Sequence, residues 1–243
     1  MSRKTLTHVK QASVTATMSR VTIVEGVVET ARGTRRTPAD KYDERRTQLA
    51  ISALATLGEL GYAKTSLREI AQNSEFSHGV VHYYFADKFE LIIYCVRYYK
   101  ARCVTRYDAV VEDSTTADGL LSAFAAKLVE TIHEEAAMHR LWYDLRTQSM
   151  FEEKLREAVL MIDATLEDMI WRVISRYAEL AGRPTSMTPA AAYGVLDGLF
   201  QQALLGHLTG HLSGQLTGTA DAAEAMAAQV HELMPLMLAP TSD

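Results

Sequence analysis

Apolar residues recur three and four apart along nearly the whole chain, and no run alternates with the period of two that a strand would show. Leu49, Ala50, Ala53, Leu54 and Leu57 mark the buried face of a first helix. Thr37-Pro38-Ala39-Asp40 opens it with a hydroxyl cap, a proline at the first helical position and an acid three after the cap, and Gly61 stops it after Leu60. Leu67, Ile70 and Ala71 then support a helix of about two turns. A third short helix runs from Ser77 to about Phe85, and a fourth follows Asp87 with Leu91, Tyr94, Cys95, Tyr98 and Tyr99 to about Val111. Asp113 to Asp118 reads as a loop. Beyond it the pattern predicts helices over 119–135, around Met138 to Gln148, from about Phe151 to Ala181, over 190–212 and over 220–238, with Pro184 and Pro189 bracketing one boundary. The expected fold is all-α.

Three helix starts crowd into residues 65–91. Ser66 with Glu69 is a capping box, in which the hydroxyl accepts from a free helix-start amide and the carboxylate reaches back. Ser77 is a second N-cap, and Asp87 with Glu90 repeats the capping-box pattern. Phe76 is the one large apolar residue in the break, placed to plug the space under the turn. Two short helices joined by a tight turn make a helix-turn-helix, whose second helix enters the DNA major groove.

The second helix has the composition of a reading surface. Val81 and Phe85 stand four apart and face the core, which leaves His78, Gly79, His82 and Tyr83 outside. Imidazole and phenol hydrogen-bond base edges or phosphates, glycine lets backbone come close to a partner, and Val80 can meet a thymine methyl. By position, His78, Gly79, His82 and Tyr83 read bases, while Thr65, Ser66, Ser77, Tyr84 and Lys88 grip phosphates.

Residues Arg46 to Leu91 resemble the DNA-binding domain of the tetracycline-repressor (TetR) family of bacterial regulators. The resemblance rests on Ala53 with Gly61-Tyr62, on Thr65 to Ala71, on Phe76-Ser77-His78-Gly79-Val80-Val81, on the aromatic run Tyr83-Tyr84-Phe85, and on Asp87 to Leu91. His82 departs from the family, which most often has Tyr there. The resemblance implies a dimeric repressor with an effector among its middle helices. Residues 1–36, rich in Ser, Thr, Arg and Lys, read from composition as a disordered basic extension, followed by a three-helix helix-turn-helix DNA-binding domain at 37–86 and a helical domain at 87–243 that the resemblance makes the effector-binding and dimerisation half.

Charge sharpens this picture. The net charge is −5, but residues 1–100 hold 15 Lys/Arg against 10 Asp/Glu, and residues 101–243 hold 10 against 20. A basic front and an acidic back suit a protein that meets phosphate at one end. Arg32, Arg35 and Arg36 either form an arm reaching phosphate or a minor groove, or belong to an unstructured leader with the true start at Met18. No stretch approaches the roughly 18 apolar residues of a membrane span, and no signal-peptide run opens the chain, so no membrane partner is expected. Cys95 and Cys103 lie eight apart on one expected helix, about 12 Å along its axis and too far to bridge. A reduced, cytoplasmic setting follows.

In the rear domain, Trp142, Tyr143 and Arg146 crowd one helix and suit an effector pocket, with Met161 and Trp171 as further wall residues; the plain alternative is core packing. Gly194, Gly198, Gly206, Gly210, Gly214 and Gly218 lie four or eight apart. Glycine costs a helix up to about 1 kcal/mol each, which a close helix–helix approach can offset. Gly194, Gly198, Leu199, Gln202 and Gly206 are therefore expected in a homodimer interface with the last helix, while residues 211–219 can equally form a loop. The pairs His78/His82 and His207/His211 have metal-binding spacing but no third ligand in their own segments, and His133 and His139 read as solvated. No metal, cofactor or catalytic constellation is expected. The reading is a dimeric DNA-binding repressor of double-stranded operator DNA that answers to a small molecule. Its rivals are a helical ligand-binding protein with a vestigial head, and a helical enzyme.

Overall fold

The computed structural model describes residues 37–213 and 221–240. The expectations for residues 1–36, including the arginine arm and the start at Met18, and for Gly214, Leu216 and Gly218, lie outside the described residues, as do the side chains of His211 and Leu212. The helices are α1 (Pro38–Lys64), α2 (Leu67–Gln72), α3 (His78–Tyr84), α4 (Lys88–Cys103), α5 (Asp108–Asp113), α6 (Ala117–Ser149), α7 (Glu153–Ala181), α8 (Pro189–Ser213) and α9 (Ala222–Leu233), followed by a 3₁₀ turn at Met234–Met237. Among the described residues the only bridge of β type pairs Thr185 with Leu238, and no helix is long and apolar enough to cross a membrane.

The local start signals act as their chemistry demands. Thr37 and Asp40 close a capping box on α1, and Ser66 and Glu69 close one on α2. Ser77 accepts from the amide of Val80 at the start of α3. At α4 the box is displaced. Asp87 caps the Glu90 amide, but the Glu90 carboxylate accepts from the Ala86 amide and pairs with Arg46, joining the helix start to α1.

Two boundaries differ from the sequence reading. α4 ends at Cys103 instead of continuing to Val111. The turn over 104–107 allows neighbouring Arg106 and Tyr107 both to point inward, Arg106 onto Thr131 and Glu135 and Tyr107 against Phe124. On a continuous helix they would stand about 100° apart. The two helices expected before and after residue 136 form one element, α6, broken only at Glu135 (φ −127°, ψ 21°), whose carboxylate accepts from Tyr99 and Arg106.

α6 is the central element, packing on α1, α5, α7, α8 and α9. One apolar core continues from Leu49, Ile70, Val81 and Phe85 at the front into Trp142, Ile162, Val173 and Met226 at the rear. The junction lies at the end of α1. Gly61 adopts φ 77°, ψ 174°, a conformation nearly confined to glycine, and turns the chain out of the helix. Arg140 of α6 donates to the carbonyls of Gly58 and Glu59, and Asp144 accepts from the Tyr62 amide at 2.7 Å. Lys88 of α4 donates to the Tyr62 carbonyl and lies over its ring, 4.1 Å from the centroid.

Replacing Gly61 by Ala imposes the backbone strain and brings a Cβ to 3.1 Å from the Asp144 carboxylate. The variant should lose about 1–3 kcal/mol in urea unfolding. A loss below about 0.5 kcal/mol would mean that the turn relaxes freely.

Candidate functional site

The helix-turn-helix is built as two faces. Val81 and Phe85 of α3 are fully buried, and Phe76 beneath the turn is 4% exposed. Ser77, His78, Gly79, His82 and Tyr83 are exposed, with Tyr83 at 70%, while Val80 and Tyr84 are half-buried against the core. The His78 and His82 rings meet edge to face, 4.4 Å between centroids. Gly79 has open space where a Cβ would stand. Tyr83 and Tyr84 pack against Tyr42 of α1, which thereby joins the same surface.

The structure redistributes the expected phosphate contacts. Thr65 is a correction: it is 2% exposed, and its hydroxyl donates to the Gly61 carbonyl, so the helix turn consumes it. Lys88 is a second correction. Its ammonium is occupied at the Tyr62 carbonyl, and partial burial lowers its pKa against the pull of Asp144, Glu69 and Glu152. It closes the end of α1 instead of standing free at the surface. Ser66 and Ser77 remain exposed, each serving as a helix cap. A surface groove between α2 and α3 is lined by Arg68, Ala71, Gln72, Phe76, Ser77 and His78. Arg68 and Gln72 escaped the sequence reading, although Arg68 lies two residues past a helix cap, where an anion is favoured.

The basic excess is also relocated. Residues 37–100 contain 8 Lys/Arg and 8 Asp/Glu, so the surplus of five in residues 1–100 falls wholly within 1–36, which hold 7 against 2.

In the rear half, α4, α6, α7 and α8 line a partly open cavity of about 70 Å³. Trp142 and Tyr143 are among its wall residues, with Lys100, His139, Asp197 and Phe200. Arg146 stands behind the wall, 2.5 Å from Asp197 and 3.5 Å from Asp163. Met161 and Trp171 are corrections: neither lines the cavity, since Met161 is 47% exposed on the outer side of α7 and Trp171 packs half-buried against the core. His139 is another. It is buried, and burial together with Lys100 and Arg106 pushes its pKa well below the usual imidazole value, which keeps it neutral.

Lys100 is the least comfortable group in the wall. It is 3% exposed, with its ammonium 5.0 Å from the Trp142 ring centroid, and among the described residues no carboxylate lies within ion-pairing distance. Burial brings its pKa down to about 8. Beside it, the Trp142 Nε1–H is buried without an acceptor among the described residues, and a buried donor left unpaired costs about 1–3 kcal/mol. The opposite side is acidic but satisfied: Tyr143 donates to Asp197 at 2.9 Å and Tyr193 to Asp163 at 2.6 Å.

The expected interface residues divide. Gly194 and Gln202 are exposed, and Gly198 and Leu199 are half-buried. Around Gly194 and Gly198 nothing stands where a Cβ would be. Gly206 is a correction, because a Cβ there would come within 2.8 Å of the Ala222 Cβ; it serves the α8–α9 crossing inside the chain.

Lys100→Met gives a pH test of the cavity wall. The folded-state pKa of Lys100 is depressed, so between about pH 8 and 10.5 the unfolded chain binds the extra proton. The penalty for burying the ammonium is therefore complete below pH 8 and fades as pH rises. Relative to Lys100→Met, the native protein should gain stability from pH 8 to 10, by up to about 1.4 kcal/mol per pH unit in chemical denaturation. Parallel stability profiles would show that the Lys100 ammonium keeps its ordinary pKa in the fold, its burial offset by its surroundings.

Comparison with known proteins gives one family. The pattern described as bacterial regulatory proteins, tetR family, matches residues 52–95. The HTH-type transcriptional regulator BetI of Burkholderia mallei is 27% identical over 165 residues, covering 66% of this chain and 82% of the relative. Its Burkholderia thailandensis counterpart is 30% identical over 115 residues, 46% of this chain and 58% of that one. Among solved structures, a regulator from Saccharomonospora viridis in complex with choline aligns with TM-score 0.63 at 16% identity, over 82% of this chain and 100% of its own. FadR of Bacillus subtilis in complex with stearoyl-CoA aligns with TM-score 0.59 at 18% identity, over 77% and 96%.

Proposed function

We propose, from the premise that this chain belongs to the tetR family and is a DNA-binding transcriptional regulator, that it works as a dimeric repressor released from a palindromic operator by a small-molecule effector. In this reading residues 37–86 form the reading head and residues 87–243 the effector and dimer half. The carrying observation is the exposed row His78, Gly79, His82 and Tyr83 on a helix whose other face is fixed by Val81 and Phe85. Two such helices in a dimer would meet major-groove faces about 34–36 Å apart, and the two-fold of the protein would be mirrored in the operator.

The effector enters the argument through size and connection. A cavity of about 70 Å³ is well below the roughly 300–1,000 Å³ of ordinary ligand sites. A ligand larger than a few waters must therefore push its walls apart. Those walls include α4 and α6, the two helices that hold the end of α1 through Lys88, Arg140 and Asp144. Displacing them would shift the recognition helices, to the extent that the ligand prefers the expanded state. Two structural relatives were solved in complex with choline and with stearoyl-CoA, which supports a small-molecule effector. Choline is a cation, however, and here the wall residues include the buried Lys100 and Trp142, whose indole N–H has no acceptor among the described residues. The effector read from this chain carries an acceptor or negative group at that end.

The dimer face is the outer side of α8, where Gly194, Gly198 and Gln202 accompany Val195 and Leu205, the last two 36% and 62% exposed. Leu205→Glu together with Gly198→Arg should yield a monomer by light scattering and abolish operator binding. A dimer that persists would put the interface elsewhere.

On DNA, His82→Ala should alter preference among operator variants by about 1–3 kcal/mol at individual base pairs. Arg68→Ala should weaken all sequences alike and flatten the salt slope by about one unit. Because residues 37–100 are charge-neutral, deleting 1–36 should flatten that slope by several units. An unchanged slope after the deletion would mean that the head alone holds the phosphates.

A further inference from the structure

We infer that His133, His207 and Asp221 form a binding site for one divalent transition-metal ion of the Zn(II) or Co(II) kind, distinct from the cavity and from the DNA-reading face. The three residues are far apart in the chain, at the middle of α6, on the last part of α8 and at the N-cap of α9. The fold brings one donor atom of each to within 4.8 Å of the other two. His133 Nε2 already stands 2.8 Å from Asp221 Oδ2, and the His133 and His207 rings are 5.4 Å apart.

The backbone around the trio is held in place. Asp221 Oδ1 accepts from the Ala223 amide at 2.9 Å, which occupies one carboxylate oxygen at the helix start and leaves Oδ2 turned toward His133. One residue along from His207 and from Asp221, Gly206 and Ala222 make a close α8–α9 contact, at which an added Cβ would stand 2.8 Å away. The trio is partly open to solvent, so an ion can reach it and keep a water as a fourth ligand.

Ligand chemistry selects the metal class. Two imidazoles and one carboxylate suit Zn(II), Co(II), Ni(II) or Cu(II), whereas Mg(II) and Ca(II) prefer all-oxygen sets. At metal–ligand bonds of about 2.0–2.2 Å, tetrahedral donors lie roughly 3.3–3.5 Å apart. Closing the present arrangement therefore needs side-chain movements of about 1 Å or less at each ligand. Coordination uses the Nε2 lone pair of His133, so that ring must carry its proton on Nδ1. The ion would tie α6, α8 and α9 at one point. Since α6 also holds the end of α1, occupancy would stiffen the frame through which the rear half supports the head.

The test uses the untagged full chain, stripped of metal with a chelator and titrated with CoCl2. One Co(II) per chain should bind, with visible absorption of the strength typical of low-coordinate Co(II), and ZnCl2 should displace it. His207→Ala and His133→Gln should each lose at least tenfold in affinity, and the double variant should bind no stoichiometric ion. Asp221→Asn keeps a residue able to cap α9 but removes the charged ligand, and it should also weaken binding at least tenfold. Zinc should raise the Tm of the native chain and leave that of the double variant unchanged. Circular dichroism without metal checks that each variant is folded, and Asp221→Asn carries the test if a histidine variant is not. Absence of stoichiometric uptake, or uptake that survives both the double variant and Asp221→Asn, would overturn the site.

Discussion

The clamp at the end of α1 is the contact on which the rest of the structure depends. Gly61 turns the chain in a conformation that few other residues tolerate, and three side chains from two other helices converge on the groups the turn leaves unpaired. A helix end buried without partners would leave several carbonyls and amides unsatisfied. Here Arg140 takes the carbonyls of Gly58 and Glu59, Asp144 takes the Tyr62 amide, and Lys88 takes the Tyr62 carbonyl. The clamp explains why one core runs from the head into the rear half, and why the Lys88 ammonium is engaged inside the fold.

The same two helices serve the clamp and the cavity. α6 presents Arg140 and Asp144 to the head and Trp142 and Tyr143 to the cavity, within a single turn and a half. α4 has Lys88 at one end and Lys100 near the other. A force applied inside the rear half is therefore transmitted along rigid helices to polar contacts that have few alternative partners. The energetic tension lies in the same place: the buried Lys100, and Trp142 with its indole N–H unpaired among the described residues, are both wall residues of the cavity.

Much of the architecture was legible in the chain because the signals are local. The capping boxes of α1 and α2, Gly61 and the buried face of α3 all depend on residues within one or two turns of each other. The failures involve partners distant in sequence. Thr65 and Lys88 have the composition of phosphate contacts, but a turn and a carbonyl elsewhere consume them. Met161 and Trp171 have the spacing of pocket residues, yet α7 points them away from the cavity. His133 is exposed as read, but its partner Asp221, 88 residues later, could not be placed beside it from spacing.

By itself the sequence determined the helical class, the helix-turn-helix and the residues exposed on its second helix, since hydrophobic period and caps act over a few residues. It also held the charge count that places the whole basic surplus of residues 1–100 in the first 36. Only the tertiary structure decided which polar groups are free to meet a partner and which are spent inside the fold. The reason is physical: a buried donor or acceptor must be satisfied by whatever the packing brings near, and that neighbour is set by how α1, α4, α6, α8 and α9 cross, not by spacing along the chain.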